Sequence, residues 1–345
     1  MSQRIAVTLP LPEAAKELLR KSKAAVSYIH GPKGERPTLK ELIERVQEAD
    51  VLLVPAALSV PKQVVTANPD LLGIANIGVG YNNIDVASAN KLGIPVTNTP
   101  GVVTESTADL TWILLMATAR KIPLVHNFTA TGQWKGPLGK ELMGLDISPG
   151  GSNSPKVLGI IGFGNIGQAV MRRSRGFRMK VLAFDPPMRE VIEKKRGVEY
   201  RELHELLRES DFVTLHCPMT EETRHIIGTA ELDLMKPTAI LINASRGPVV
   251  DEKALVVALK KKKIYGAGLD VFENEPRLSP GLAKLDNVVL VPHIGTATED
   301  TRVQMAIVAV RNAIDMVKGK RPANIVNSSV LESARYLRKA KYQRS

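Results

Sequence analysis

Three glycines, Gly162, Gly164 and Gly167, stand in the spacing G-x-G-x-x-G within LGIIGFGNIGQAV, directly after the apolar run VLGII and at the opening of a helical pattern. Glycines so placed permit a tight turn, let backbone N–H groups approach a pyrophosphate and allow a helix to pack closely on a strand. The helix N-terminus presents unpaired N–H groups to the same anion. The next strand pattern, KVLAF, ends in Asp185, where a carboxylate accepts hydrogen bonds from the hydroxyls of an adenosine ribose. That is the context a dinucleotide site requires. A carboxylate there also repels a 2′-phosphate, which favours NAD over NADP, although Arg189 stands near enough to leave NADP open. The alternative makes Asp185 a cap before Pro186-Pro187.

Three further polar side chains each follow a strand pattern: Arg246 after TAILINA, Glu275 after IYGAGLD and His293 after NVVLV. Doubly wound sheets place ligands at such strand ends. Redox chemistry at a carbonyl needs one group to hold the substrate, one to exchange a proton and one to set the exchanger's proton affinity. Singly, each has an ordinary explanation: a surface ion pair, an exposed loop carboxylate, a helix cap. Together, in this order behind a dinucleotide motif, they read as a reacting set. His30, His126, His204, His216 and His225 have no such context and read as structural or exposed. Tyr81 and Asn82 could line a substrate wall, but turn chemistry explains the asparagines equally well.

The elements that must position these residues alternate along the chain. RIAVTL, AVSYI, DVLLVP, GIANIGVG and PVTNT are strand patterns interspersed with helical ones, and a second series runs from KVLGII through KVLAFD, DFVTLHCP, TAILINAS and IYGAGLD to NVVLVP. Repeated strand-helix alternation implies α/β architecture with doubly wound, mostly parallel sheets. Between the series lies VVTESTADLTWILLMATARK, a helix with apolar faces too broad for a surface position, expected against another domain or subunit. Residues 122 to 156 read as an irregular arm holding Trp134, closed by the turn-rich SPGGSNSP.

At 345 residues and 44% apolar composition the chain suits two globular domains. No run reaches the roughly 18 apolar residues of a membrane span, and the N-terminus lacks a secretory pattern, so no membrane partner is expected. The single cysteine, Cys217, excludes an intrachain disulfide or a Cys-based metal site and agrees with a cytoplasmic location. No metal site is expected. The net charge of +12 is dispersed over KKKK at 260 to 263, EKKR at 193 to 196 and the tail RYLRKAKYQRS, with aromatics at only 4%. That distribution argues against nucleic acid, while a modest positive field would favour anionic substrates.

Over about residues 40 to 328 the chain resembles the D-isomer-specific 2-hydroxyacid dehydrogenases, through GFGNIGQAV, HCPMTEETRHII, NASRGPVVDE, GLDVFENEP and PHIGTAT. GVGYNNIDV and PGVVTESTAD look most like the glyoxylate and hydroxypyruvate reductase branch. The resemblance implies an oxidoreductase that reduces a small anionic 2-oxo acid to the D-2-hydroxy acid with a nicotinamide cofactor. Arg246 would fork onto the substrate's carboxylate and keto oxygen, a geometry Lys reproduces poorly. His293 would donate the proton to the carbonyl oxygen, and Glu275 would orient its imidazole and favour the protonated form. Val79 and Gly80 would grip the substrate carboxylate through backbone amides. Asp270 would face the nicotinamide carboxamide; Thr107 and Ala244 would line its pocket; Cys217, Pro218 and Thr223 would border the adenosine; Asn165 and Ile166 would complete the glycine turn. Asn165 stands where the family commonly has arginine, removing a cation near the pyrophosphate.

The same resemblance explains why the glycines lie mid-chain: a Rossmann NAD-binding domain, residues 101–291, with a dimerisation helix and arm, is inserted into a flavodoxin-like substrate domain made of 1–100 and 292–345, the latter with its basic tail. Prolines 100 and 292 fall at the crossings, and the cleft would lie between the domains. The expected assembly is a C2 homodimer, with Trp134 able to reach the neighbour's substrate entrance. Rival readings are the same chemistry on D-3-phosphoglycerate, D-lactate, 2-ketogluconate or phosphite, or a corepressor-like scaffold that senses NAD without turnover. Only about 50 residues follow His293, too few for the regulatory domain often appended to phosphoglycerate dehydrogenases, and Glu275 argues against formate dehydrogenases.

Overall fold

The computed structural model describes residues 3–150, 154–333 and 336. The chain divides into two compact units, one drawn from both chain ends, up to Val103 and from Thr298 onward, the other comprising Thr104–Ala297.

In the first unit, strands β1 (Arg4–Val7), β2 (Ala25–Tyr28), β3 (Val51–Pro55), β4 (Gly73–Ile77) and β5 (Val96–Thr97) form a parallel sheet in the order β2-β1-β3-β4-β5. This is the flavodoxin-like order. β3 and β4 carry almost uninterrupted buried residues, as strands covered on both faces by helices do. The covering helices are α1 (Glu13–Ser22), α2 (Leu39–Val46), α3 (Lys62–Ala67), α4 (Val86–Lys91) and Glu299–Val317, which is α12 in chain order. α12 buries Met305, Ala309, Val310, Ala313 and Met316 and packs on α1, β3 and β4. α2 begins at a capping box in which Thr38 and Glu41 satisfy each other's backbone N–H groups.

In the second unit, β6 (Val157–Ile161), β7 (Lys180–Phe184), β8 (Glu199–Tyr200), β9 (Phe212–Leu215), β10 (Ile240–Asn243), β11 (Gly266–Leu269) and β12 (Val288–Leu290) pair in parallel in the order β12-β11-β10-β9-β6-β7-β8. Counted from β6, this is the Rossmann order with one added strand. Alternate residues of β10 feed two cores, Ile240 and Ile242 one face and Leu241 the other. Its helices are α5 (Thr104–Ala119), α6 (Ile122–Ala130), α7 (Asn165–Ser174), α8 (Arg189–Lys194), α9 (Leu203–Glu209), α10 (Thr229–Leu234) and α11 (Glu252–Lys260). The order reverses at β6, which lies between β7 and β9, so the crevice at this switch point is bordered by the segments leaving β6 and β9. Those segments begin at Gly162 and His216.

Several elements differ from the sequence expectation. α5 packs on α7 and on β10, β11 and β12 of its own unit, so much of its apolar surface is explained without any neighbour, although Ile113 remains exposed. The arm contains the helix α6, started by Pro123 in its first turn, and none of its residues is buried. Trp134 follows it, exposed, its indole N–H donating to the Gly136 carbonyl at 3.0 Å. Part of SPGGSNSP, residues 151–153, and nearly all of the basic tail lie outside the described residues. The other basic stretches are partly paired, Lys263 with Asp233 and Lys194 with Glu190. Among the described residues no helix is long and apolar enough to cross a membrane.

Candidate active site

The glycine turn leaves β6 with Gly162 at φ +92°, where a Cβ would sit 2.3 Å from the Cys217 backbone nitrogen. A Cβ on Gly167 would lie 2.2 Å from the Gly162 carbonyl oxygen. These two glycines close the turn on β9 and on α7. Gly164 is different: nothing lies within 4 Å of the position its Cβ would take. It is exposed and forms the N-cap of α7 without a side-chain cap, so the first N–H groups of the helix, at Asn165, Ile166 and Gly167, are left to an outside acceptor. Asn165 is exposed and Ile166 half-buried beside that opening.

Asp185 closes the far side. Its Oδ2 accepts the Phe163 N–H at 2.7 Å, bracing the turn from the end of β7. Oδ1 has no hydrogen-bond partner among the described residues. Arg189 is committed elsewhere, donating to Glu193 at 2.9 Å and Glu202 at 3.4 Å and lying over the Tyr200 ring. Cys217 is buried, and burial together with the charge of Asp185 pushes its thiol up to about 12. Next to it, His216 has both ring nitrogens buried without a hydrogen-bond partner among the described residues, and burial pushes its pKa down to about 3. The Thr223 hydroxyl donates to the Pro218 carbonyl at 2.7 Å and accepts the Thr220 N–H, so it shapes its own turn. A dinucleotide fits this cradle: an open glycine at an uncapped helix start, a carboxylate oxygen to spare, and an unpaired buried imidazole beside the tight glycine.

The reacting set lies along the same sheet end. His293 follows β12 with φ 54°, a left-handed conformation uncommon outside glycine. Its backbone N–H donates to the Asp270 carbonyl at 2.8 Å, and the Asp270 side chain accepts the N–H groups of Ile294 at 2.6 Å and Gly295 at 2.9 Å. Asp270, almost wholly buried, therefore fixes the turn that carries the histidine. Burial raises its pKa, only partly opposed by those two N–H groups and the charge of His293. Thr107, buried on α5, reaches the same turn through the Gly295 carbonyl at 3.4 Å.

His293 Nδ1 lies 2.9 Å from Glu275 Oε2, while Glu275 Oε1 accepts the Phe272 N–H at 3.1 Å. Burial works against the Glu275 charge, but the hydrogen bond and charge of His293, the Phe272 N–H and Arg246 outweigh it, leaving its pKa lowered. With Nδ1 engaged by the carboxylate, Nε2 is the imidazole atom left to act. Arg246 follows β10 in a turn set by Asn243, whose amide donates to the Arg246 carbonyl at 3.0 Å and accepts from Ser245. One guanidinium nitrogen donates to the Ser245 carbonyl at 2.6 Å. Burial lowers its pKa, and the charge of Glu275 opposes that. Ala244 is a buried neighbour in the same turn. Arg246, Glu275, His293 and Asp270 thus form one electrostatic group.

In the first unit, Val79 and Gly80 follow β4. The carbonyls of Gly78 and Gly80 accept the Asn76 side-chain amide, and that of Val79 accepts the Asn98 amide at 2.9 Å. The N–H groups of Val79 and Gly80 have no acceptor among the described residues. Asn76 and Asn98 were not singled out in the sequence, yet an asparagine fully buried in the apolar strand GIANI is the signal that could have marked one of them.

Residues 112–295 match the model of the D-isomer specific 2-hydroxyacid dehydrogenase, NAD binding domain. A glyoxylate reductase of Thermococcus litoralis is 45% identical over 97% of this chain and 99% of its own. One of Korarchaeum cryptofilum is 48% identical over 86% and 88%. Among solved structures, an NADPH-dependent glyoxylate/hydroxypyruvate reductase of Sinorhizobium meliloti in complex with NADP and malonate superposes with a TM-score of 0.81, at 30% identity over 94% of this chain and 97% of that one.

Proposed function

Because the chain belongs to the D-isomer-specific 2-hydroxyacid dehydrogenases, we propose that it reduces glyoxylate or hydroxypyruvate to the corresponding hydroxy acid, of D configuration where the product is chiral, using NADH or NADPH. The observation that carries this reading is the 2.9 Å pairing of His293 with Glu275 on a sheet whose switch point holds an open dinucleotide cradle. A reduced nicotinamide, when bound, supplies the hydride. Gly162, Gly164, Asn165, Ile166, Gly167 and Asp185 would hold the cofactor, with Thr107, Cys217, Pro218, Thr223, Ala244 and Asp270 bordering it.

Arg246 binds the substrate carboxylate and keto oxygen through the guanidinium donors that Ser245 does not use, and its charge polarises the carbonyl. His293 donates a proton from Nε2 to the carbonyl oxygen as the alcohol forms, and accepts it in the reverse direction. Glu275 holds Nδ1 and fixes the ring. Asp185, together with an Arg189 already paired to two glutamates, favours NADH over NADPH. We further propose a cytoplasmic homodimer that covers the exposed apolar residues of α6 and the arm around Trp134.

A panel of 2-oxo acids with NADH and NADPH, followed at 340 nm, tests the reading. Arg246→Ala and His293→Ala should each lower kcat/KM for glyoxylate by about 10³-fold or more. Turnover within a few-fold of the parent in either variant would remove that residue from the mechanism, and no turnover of any 2-oxo acid by the parent would reject the activity.

A further inference from the structure

The chemistry above uses Glu275 but leaves unexplained what holds it. Glu275 sits in a loop between β11 and β12, away from regular structure. Glu252, the first residue of α11, is 4% exposed, a depth at which a carboxylate is costly unless its oxygens are engaged. Both are engaged, and by the same loop. Oε2 accepts the N–H of Glu273 at 2.9 Å and Oε1 accepts the N–H of Ser279 at 2.6 Å. One buried carboxylate thereby clasps the loop on either side of Glu275.

Two neighbouring contacts direct the clasp. A Cβ on Gly247, the residue after Arg246, would lie 1.9 Å from the Phe272 carbonyl, so the segment from Arg246 to α11 is pressed directly onto the start of the loop. His225 donates its backbone N–H to the Pro248 carbonyl at 2.8 Å, and its Nε2 lies 2.8 Å from Glu273 Oε1, tethering the same point from a third segment.

Resting on the assignment of His293 and Glu275 to proton transfer, we propose that Glu252 is a positioning residue. It holds residues 273–279 so that the Glu275 carboxylate meets His293 Nδ1. It touches neither substrate nor cofactor. Without its two charge-assisted hydrogen bonds, the N–H groups of Glu273 and Ser279 are left unsatisfied, the loop relaxes, and Glu275 withdraws from the imidazole.

The test is a double-mutant cycle read by NMR titration of the Glu275 side-chain carboxyl in the ¹³C-glutamate-labelled full-length chain, assigned by its loss in Glu275→Gln. The groups acting on that carboxylate are His293, the Phe272 N–H and Arg246, with Asp270 coupled to both His293 and Glu275. Glu252→Ala should raise the Glu275 midpoint back toward that of an ordinary carboxyl by about 0.3 pH or more, because withdrawal from the imidazole removes the contact that favours the charged carboxylate. In a His293→Asn background the same substitution should shift it by less than about 0.1 pH, since Glu252 acts on that carboxylate through its contact with the imidazole. Glu252→Gln, which keeps one acceptor oxygen and the side-chain length, should give an intermediate shift and stands in should the alanine variant not fold. In turnover, kcat for glyoxylate should fall about tenfold with KM and the NADH dissociation constant changed less than about threefold. Equal shifts in both backgrounds, or no shift in the parent, would overturn the proposal. Absence of 2-oxo acid reduction by the parent would reject the activity alone, because the titration cycle needs no substrate.

Discussion

Asp185 Oδ2 accepts the backbone N–H of Phe163 at 2.7 Å, so the carboxylate proposed to select the cofactor also braces the glycine turn. The two duties separate by substitution. Asp185→Asn keeps an oxygen acceptor for Phe163 and removes the charge, whereas Asp185→Ala removes both. The asparagine variant should lower the ratio of kcat/KM for NADH over NADPH by about tenfold or more, as loss of a like-charge repulsion with the 2′-phosphate requires. The alanine variant should show a similar switch and a further loss of about 1–3 kcal/mol in stability, the cost of an unpaired N–H. Urea unfolding beside a two-cofactor assay decides it; equal stabilities would mean that the brace contributes nothing.

Gly162 and Gly164 belong to one motif but meet different surroundings. A methyl group on Gly162 would be driven into the Cys217 backbone at a φ of +92°, while one on Gly164, at φ −68°, meets nothing. Gly162→Ala should therefore destabilise the fold by more than about 2 kcal/mol. Gly164→Ala should cost no more than about 1 kcal/mol, the usual price of that change at an N-cap, yet weaken NADH binding about tenfold by occupying the approach to the helix start. Calorimetry on the free protein and fluorescence titration with NADH read the two effects apart.

The contrast shows what a sequence reveals. Arg246, Glu275 and His293 were visible because each follows a strand long and apolar enough to recognise, and parallel sheets gather strand ends at one edge. α3 and β8 were not. Six residues make too little of a helical period, and Glu199–Tyr200 is a two-residue edge strand without an apolar run. α6 has no legible apolar stripe in the sequence, in keeping with a helix whose residues bury no face. The work of Asn76, Asn98, Asp270 and Glu252 was hidden for another reason. Each side chain answers backbone groups whose arrival beside it is decided by the tertiary fold, and nothing in the local spacing of Glu252 announces Ser279.

Cys217 offers a direct measure of how closed the wall beside the glycine turn is. Burial and the nearby charge of Asp185 hold its thiol near 12, so the thiolate fraction at pH 8 is on the order of 10⁻⁴. Iodoacetamide at pH 8 should label the folded protein at least about 100-fold more slowly than the protein in guanidinium, with labelling followed by mass spectrometry. Labelling at the denatured rate would show Cys217 to be accessible, and its place in the wall would be wrong.

The His293–Glu275 pair also makes stability depend on pH with a definite sign. Burial opposes ionisation of Glu275, but the contacts from His293, Phe272 and Arg246 outweigh it and lower the pKa from 4.5. A carboxyl with a depressed folded-state pKa contributes stability above its unfolded value and loses it as pH falls through the folded value. Glu275→Gln has no such titration. The melting temperature of the parent minus that of the variant should therefore rise between about pH 3.5 and 5.5 and level off above, since no further protons leave this group. The side chain is more than one-third exposed, so solvent screening keeps the rise to a few degrees at most. A difference that is flat across this window, or that grows as the solution becomes more acidic, would mean that the carboxylate is not held in its charged form by the imidazole.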